Sequence, residues 1–246
     1  MAGKVIFHLP EGYLNRYRNA KHLALYPQVE DALLRRGGQV EIASRLAKLR
    51  PGESRKDDGN LHIVENGRVQ GPGFLNAALA YLPGFWHLDP LGVLADSSLT
   101  QRVFDPAKVD RDAAQVFYDM LCRDFAQARK ARYQQASATT EVPKGCIAVF
   151  LQGPMPQRRG QAHVGYAEML RAVVLGSAGR PVLAKAHPLQ KEIGQAVIAQ
   201  IQAEGLPVTE STANVHDLLA AAAVSVSVNS AAAIEGFLHA TPAILF

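Results

Sequence analysis

The sequence predicts an α/β protein made of two parallel-sheet halves, and three observations carry that prediction. From Cys146 onward, short apolar runs and helical patterns alternate regularly. The first hundred residues show the same alternation less cleanly. Between them, Ser137–Lys144 (SATTEVPK) is polar and proline-bearing, as a linker is. Strands alternating with helices at this spacing imply βαβ units with right-handed crossovers. The expected domains are therefore two Rossmann-like halves, 1–138 and 144–246.

Taken in order, Lys4–Leu9 is an apolar, β-branched run stopped by Pro10-Glu11-Gly12. Val29–Arg36 has helical spacing and closes on Gly37-Gly38, a C-cap signal. Gln39–Ala43 resumes as a strand, and polar Arg50–Asn60 reads as a loop. Leu61–Val69 alternates around Asn66-Gly67, the usual signature of a hairpin. Residues 71–100 are broken by Gly and Pro around Tyr81, Phe85, Trp86 and His87 and read as irregular. A long helix is expected from Asp110 to about Gln135, with Val116, Phe117, Met120, Leu121 and Phe125 on one face.

The second half reads as strand Cys146–Leu151, helix Gly165–Leu175, strand Val182–Ala186, helix Lys191–Ala203 and strand Pro207–Thr209. Helix Val215–Ala223, strand Val224–Val228, helix Ala231–His239 and strand Ala243–Phe246 follow. Ending on an apolar strand with no cap or tail suggests a truncated C-terminus.

Composition narrows the function classes. Hydrophobic residues make up 48% of the 246 and charged residues 20%, a globular balance. No apolar run approaches the roughly 18 residues of a membrane span. The N-terminus lacks the charged-then-apolar pattern of a signal peptide. A cytoplasmic protein is expected, with peripheral contact at the inner face of a membrane left open. The net charge of +4 is too small to imply nucleic acid, though it suits an anionic small ligand. Cys122 and Cys146 sit in apolar segments and read as reduced core thiols. No P-loop, GxGxxG, GxSxG, HExxH or paired-aspartate metal motif occurs, which favours a metal-independent site.

Ligands of open α/β sheets collect beyond the carboxyl ends of the strands, and three such ends in the second half are polar. Gln152-Gly153 opens a loop holding Arg158 and Arg159. Lys185-Ala186-His187-Pro188 places a histidine where proline fixes the turn. Asn229-Ser230 precedes three alanines and Glu235, so that Asn229 or Ser230 can cap a helix whose first turn a ligand could approach. The plainer alternative is a capped helix with a surface glutamate and a structural histidine. In the first half, His8 and Glu11 lie just past the first strand, placed for a general base or simply for packing. Arg16, Arg18 and Lys21 suit an acidic substrate or a solvated face. His62, His163, His216 and His239 fit no ligand spacing and read as solvated.

The segments "AKAHP" and "VSVNSAAAIEGFLHATPAILF" resemble the GT-B glycosyltransferases of bacterial capsular and surface polysaccharide biosynthesis, nearest to the group with CMP-Kdo-dependent transferases. The resemblance covers Val182–Phe246 and rests on His187-Pro188, on Ser230 with Glu235, and on His239-Ala240-Thr241-Pro242. Where the family commonly has glycine, this chain has Ala240. The resemblance implies a cleft between the two domains and transfer of a sugar from a nucleotide-linked donor, CMP-linked by preference, to a glycan or lipid-linked glycan acceptor. No further cofactor is implied. Gln152, Lys185, His187, Pro188, Asn229, Ser230 and Glu235 would hold the nucleotide sugar, with His187 stabilising the departing phosphate charge. Glu11, assigned by position, or His8 would deprotonate the acceptor. A UDP-sugar epimerase of the same fold and a non-catalytic nucleotide-sugar binder are the alternatives.

Overall fold

The computed structural model describes residues 3–45 and 56–246, and the chain divides into two compact units, Met1–Ala107 and Lys108–Phe246. The first unit contains β1 (Val5–Leu9), α1 (Leu25–Leu34), β2 (Val40–Ser44), β3 (Leu61–Glu65), β4 (Phe74–Leu79) and β5 (Trp86–Asp89). Its sheet runs β2-β1-β3-β4-β5, parallel except where β4 meets β5. Phe7, Leu9, Ile63 and Ala77 from the sheet close on Tyr17, Leu23 and Tyr26 to form its main core.

The expected Leu61–Val69 hairpin does not form. Asn66 does turn, with φ +49, but the chain arches over residues 66–73 and returns as β4 parallel to β3. Asn76 makes this short crossover possible. Buried in β4, its side chain accepts from Val69 N–H at 2.9 Å and donates to Val69 O at 2.9 Å, standing in for a missing strand partner. Gly67 is required beneath it, because a Cβ there would lie 2.4 Å from Asn76 Oδ1. Residues 71–100, expected to be irregular, supply β4 and β5.

The second unit contains α2 (Arg111–Leu121), β6 (Cys146–Phe150), α3 (Met155–Arg158), α4 (Tyr166–Leu175), β7 (Val182–Lys185) and α5 (Lys191–Ala203). It continues with β8 (Thr209–Glu210), α6 (Val215–Ala221), β9 (Ala222–Ser227), α7 (Ala232–Phe237) and β10 (Ala243–Leu245). The sheet is parallel throughout, in the order β10-β9-β6-β7-β8. Apolar cores lie on both of its faces. Ile147 and Val149 pack with Met169, Leu170, Ile198 and Ile201, whereas Cys146, Ala148 and Phe150 pack with Leu218, Leu219 and Ala232. Coverage on both faces explains why β6 (CIAVF) is continuously apolar and fully buried.

The compact units divide at Lys108, whereas the sequence places the domain boundary at 138/144. α2 and the segment after it belong with the second unit: Tyr118 Oη donates to Phe237 O at 3.1 Å, and Cys122 Sγ to Leu238 O at 3.5 Å. The expected helix to Gln135 is also shorter. It passes into a wide π-turn over Cys122–Gln127 and stops before Arg129, which holds φ +51. Its apolar face is only partly used, since Phe125 is buried but Val116 is 71% exposed.

Candidate functional site

In the second unit the chain leaves β6 toward β7 and β8, then crosses back to β9 on the other side of β6, so the topological switch lies between β6 and β9. Gln152 and Asn229 follow these two strands and meet there. Gln152 Nε2 donates to Asn229 Oδ1 at 2.9 Å, and Asn229 N–H donates to Gln152 Oε1 at 3.1 Å. Ser230 donates its N–H to Ser227 Oγ and accepts from Ala232 N–H at 3.2 Å, one residue ahead of Ala231 at the N-cap of α7. Glu235 is not the surface carboxylate of the plainer alternative. It is 7% exposed, none of the described residues hydrogen-bonds its carboxyl group, and burial raises its pKa to about 7.

At the end of β7, Leu189 N–H donates to His187 Nδ1 at 3.2 Å. The neutral ring therefore carries its proton on Nε2, which takes no bond from the described residues and is available as a donor. Burial, then the charge of Arg132, lowers the pKa of His187. Pro188 lies in the turn that Gln190 N–H closes on His187 O at 2.9 Å. Lys185 Nζ donates to Ala213 O at 2.6 Å, and burial followed by Lys191 lowers its pKa. β7 is seated closely on α5: a Cβ on Gly194 would stand 2.6 Å from Ala186 Cβ.

The segment after the π-turn, expected to be helix and linker, instead reaches this site. Tyr133 packs edge-on against His187 with ring centroids 4.9 Å apart, and the Arg132 guanidinium lies 5.8 Å from the Tyr133 centroid. The only sequence signal was compositional, an Arg-Tyr pair in a run of helix formers.

In the first unit the switch lies between β1 and β3. His8 Nε2 is 2.9 Å from His62 Nδ1, and His62 Nε2 donates to the Asp58 carboxylate at 3.1 Å while its ring stacks on Phe74. Burial, then His62, lowers the pKa of His8 to about 4. Such a ring is a weak base at neutral pH. Glu11 is exposed, in the single turn following β1. Arg18 is engaged with Glu30 and Asp31. His62 and His216, expected to be solvated, are buried.

Sequence reasoning missed Glu65, at the carboxyl end of β3. It is 3% exposed and accepts from Tyr26 Oη at 2.7 Å and Asn66 Nδ2 at 2.9 Å. Burial raises its pKa, against the opposing pull of Tyr26 and Arg45. Among the described residues, no group of three or more His, Cys, Asp or Glu is placed to hold a metal ion, and no helix is long and apolar enough to cross a membrane.

No family model matches the chain, and no curated protein matches it. Two solved structures from Thermosulfurimonas dismutans do resemble it. The KpsC beta Kdo 2,4 transferase has a TM-score of 0.58 at 14% identity, over 100% of this chain and 80% of that one. The KpsC beta Kdo 2,7 transferase has a TM-score of 0.52 at 14% identity, over 98% of this chain and 77% of that one. At this identity the likeness is one of fold: this chain shares its two-sheet α/β fold with those transferase structures.

Proposed function

We propose that the protein is a glycosyltransferase of GT-B type that moves a sugar from a nucleotide-linked donor, CMP-linked by preference, onto a surface-polysaccharide acceptor. The observation that carries this reading is His187. Its Nδ1 is occupied by Leu189 N–H, so Nε2–H is offered at the carboxyl edge of a doubly wound sheet. That is where an anionic leaving group would be held. The shared fold with two Kdo transferases supports the same reading.

In the proposed reaction the bond from the anomeric carbon to the donor phosphate oxygen breaks, and its electron pair leaves on that oxygen. The acceptor hydroxyl oxygen bonds to the anomeric carbon, and its proton passes to a carboxylate of the first unit. Exposed Glu11 suits that role better than His8, whose ring is committed to His62. Gln152, Asn229 and Ser230 would frame the nucleotide at the switch point.

A thermal-shift panel of CMP, UDP, GDP, ADP and inorganic phosphate tests the reading, because a ligand that binds only the native state raises its apparent stability. CMP is expected to raise the melting temperature more than the other nucleotides. A response to UDP alone would transfer the reading to a UDP-sugar enzyme, and no response to any would remove the donor site.

A further inference from the structure

We infer that Arg132, carried on the segment after α2, is the cation that holds the donor phosphate opposite His187. The inference deepens the transferase reading and rests on it. Three observations converge on this residue.

First, the segment is fixed on both sides of Arg132. Arg129 pairs with both Asp217 oxygens, at 2.9 and 2.7 Å, and donates to the carbonyls of Ser137 and Ala138. His216 Nε2 bonds Lys130 O at 3.1 Å. Val215 N–H donates to Gln135 Oε1 at 3.2 Å, and Asn214 Nδ2 donates to Ala136 O at 3.0 Å. These bonds hold the backbone and several side chains of the segment inward, while the Arg132 side chain is exposed.

Second, the Arg132 guanidinium is exposed and has no carboxylate partner among the described residues. It lies over the face of Tyr133. Third, Tyr133 is packed against His187, and the Arg132 charge is near enough to act on that imidazole. An exposed guanidinium together with an unclaimed Nε2–H suits a phosphate monoester or the bridging phosphate of a nucleotide sugar.

The test is calorimetric titration of the full chain with CMP, for the unaltered protein, Arg132→Ala and Arg132→Lys. Arg132→Ala is expected to weaken CMP roughly tenfold, about the worth of one charge-assisted hydrogen bond. Arg132→Lys keeps the charge and is expected to recover most of that loss. Unchanged affinity in Arg132→Ala overturns the assignment, as does an Arg132→Lys protein as weak as the alanine variant. If the unaltered protein binds CMP and the variants do not differ from it, only the role of Arg132 fails. If the unaltered protein binds neither CMP nor inorganic phosphate, the transferase reading fails together with it.

Discussion

His216 and His239 share one hydrogen bond, Nδ1 to Nε2 at 3.0 Å, and a backbone carbonyl decides which ring donates. Lys130 O can only accept, so His216 Nε2 carries a proton and its Nδ1 is the acceptor. A proton added at Nδ1 would face the His239 N–H and break the pair. Burial lowers the pKa of His216, and burial followed by His216 lowers that of His239.

Both rings thus hold protons more weakly folded than unfolded. Their contribution is complete above the unfolded value of about 6.5 and is lost as pH falls below it. His239→Gln is expected to melt with a shallower pH dependence between about pH 7 and pH 5 than the unaltered protein. Parallel curves for the two proteins would show that the pair carries no proton linkage. His8 and His187 act in the same direction, so the slope should be reduced and not abolished.

Glu235 pulls the other way. Its folded pKa near 7 lies above the ordinary 4.5, so it contributes most below the unfolded value, and that contribution is lost as pH rises toward 7. Glu235→Gln removes the cost of ionising a buried carboxyl group. It is expected to raise stability at pH 8 by on the order of 2–3 kcal/mol and to change little near pH 4. Denaturant melts at the two pH values measure this, and an equal effect at both would place the cause in packing. If the carboxylate holds the nucleoside, CMP affinity falls in the same variant while stability rises.

Ala240 offers a third measurement. It sits at φ +53, a left-handed conformation that costs a residue with a Cβ about 1–2 kcal/mol. Glycine adopts it freely but loses roughly 0.4–1 kcal/mol through the entropy of the unfolded chain. The first effect exceeds the second, so Ala240→Gly is expected to stabilise the protein by up to about 1 kcal/mol. A lower melting temperature would show that the alanine methyl is making compensating contacts. The same geometry gives a physical reason for the glycine common at this position in the family the sequence resembles.

The second unit was legible because its strands and helices are local and strongly periodic. Lys191–Ala203 was read to the residue, and the strand ends bearing Gln152 and Asn229 do come together. The first unit hid two strands. Phe74–Leu79 (FLNAAL) has weak strand formers and a buried asparagine, and that asparagine makes sense only once Val69 is known to lie against it. Glu65 read as an ordinary alternating position, because its burial depends on Tyr26, 39 residues earlier. Helix formers in Ala128–Gln135 extended the expected helix, but bonds from Arg129 and His216 hold that stretch in another conformation. Local preference gave way wherever the decisive partner was distant in sequence.

The arch between β3 and β4 also bears on how the first unit assembles. β3, β4 and β5 are neighbours in both sequence and space, joined through residues 66–73 and 80–85, so their pairing closes only short loops. β1 must instead find β3 across residues 10–60, a far larger loss of chain freedom. The sheet thus has a low-contact-order half, able to form early, and a high-contact-order half that docks onto it. Asn76, which ties the arch to its own strand, lies in the early half.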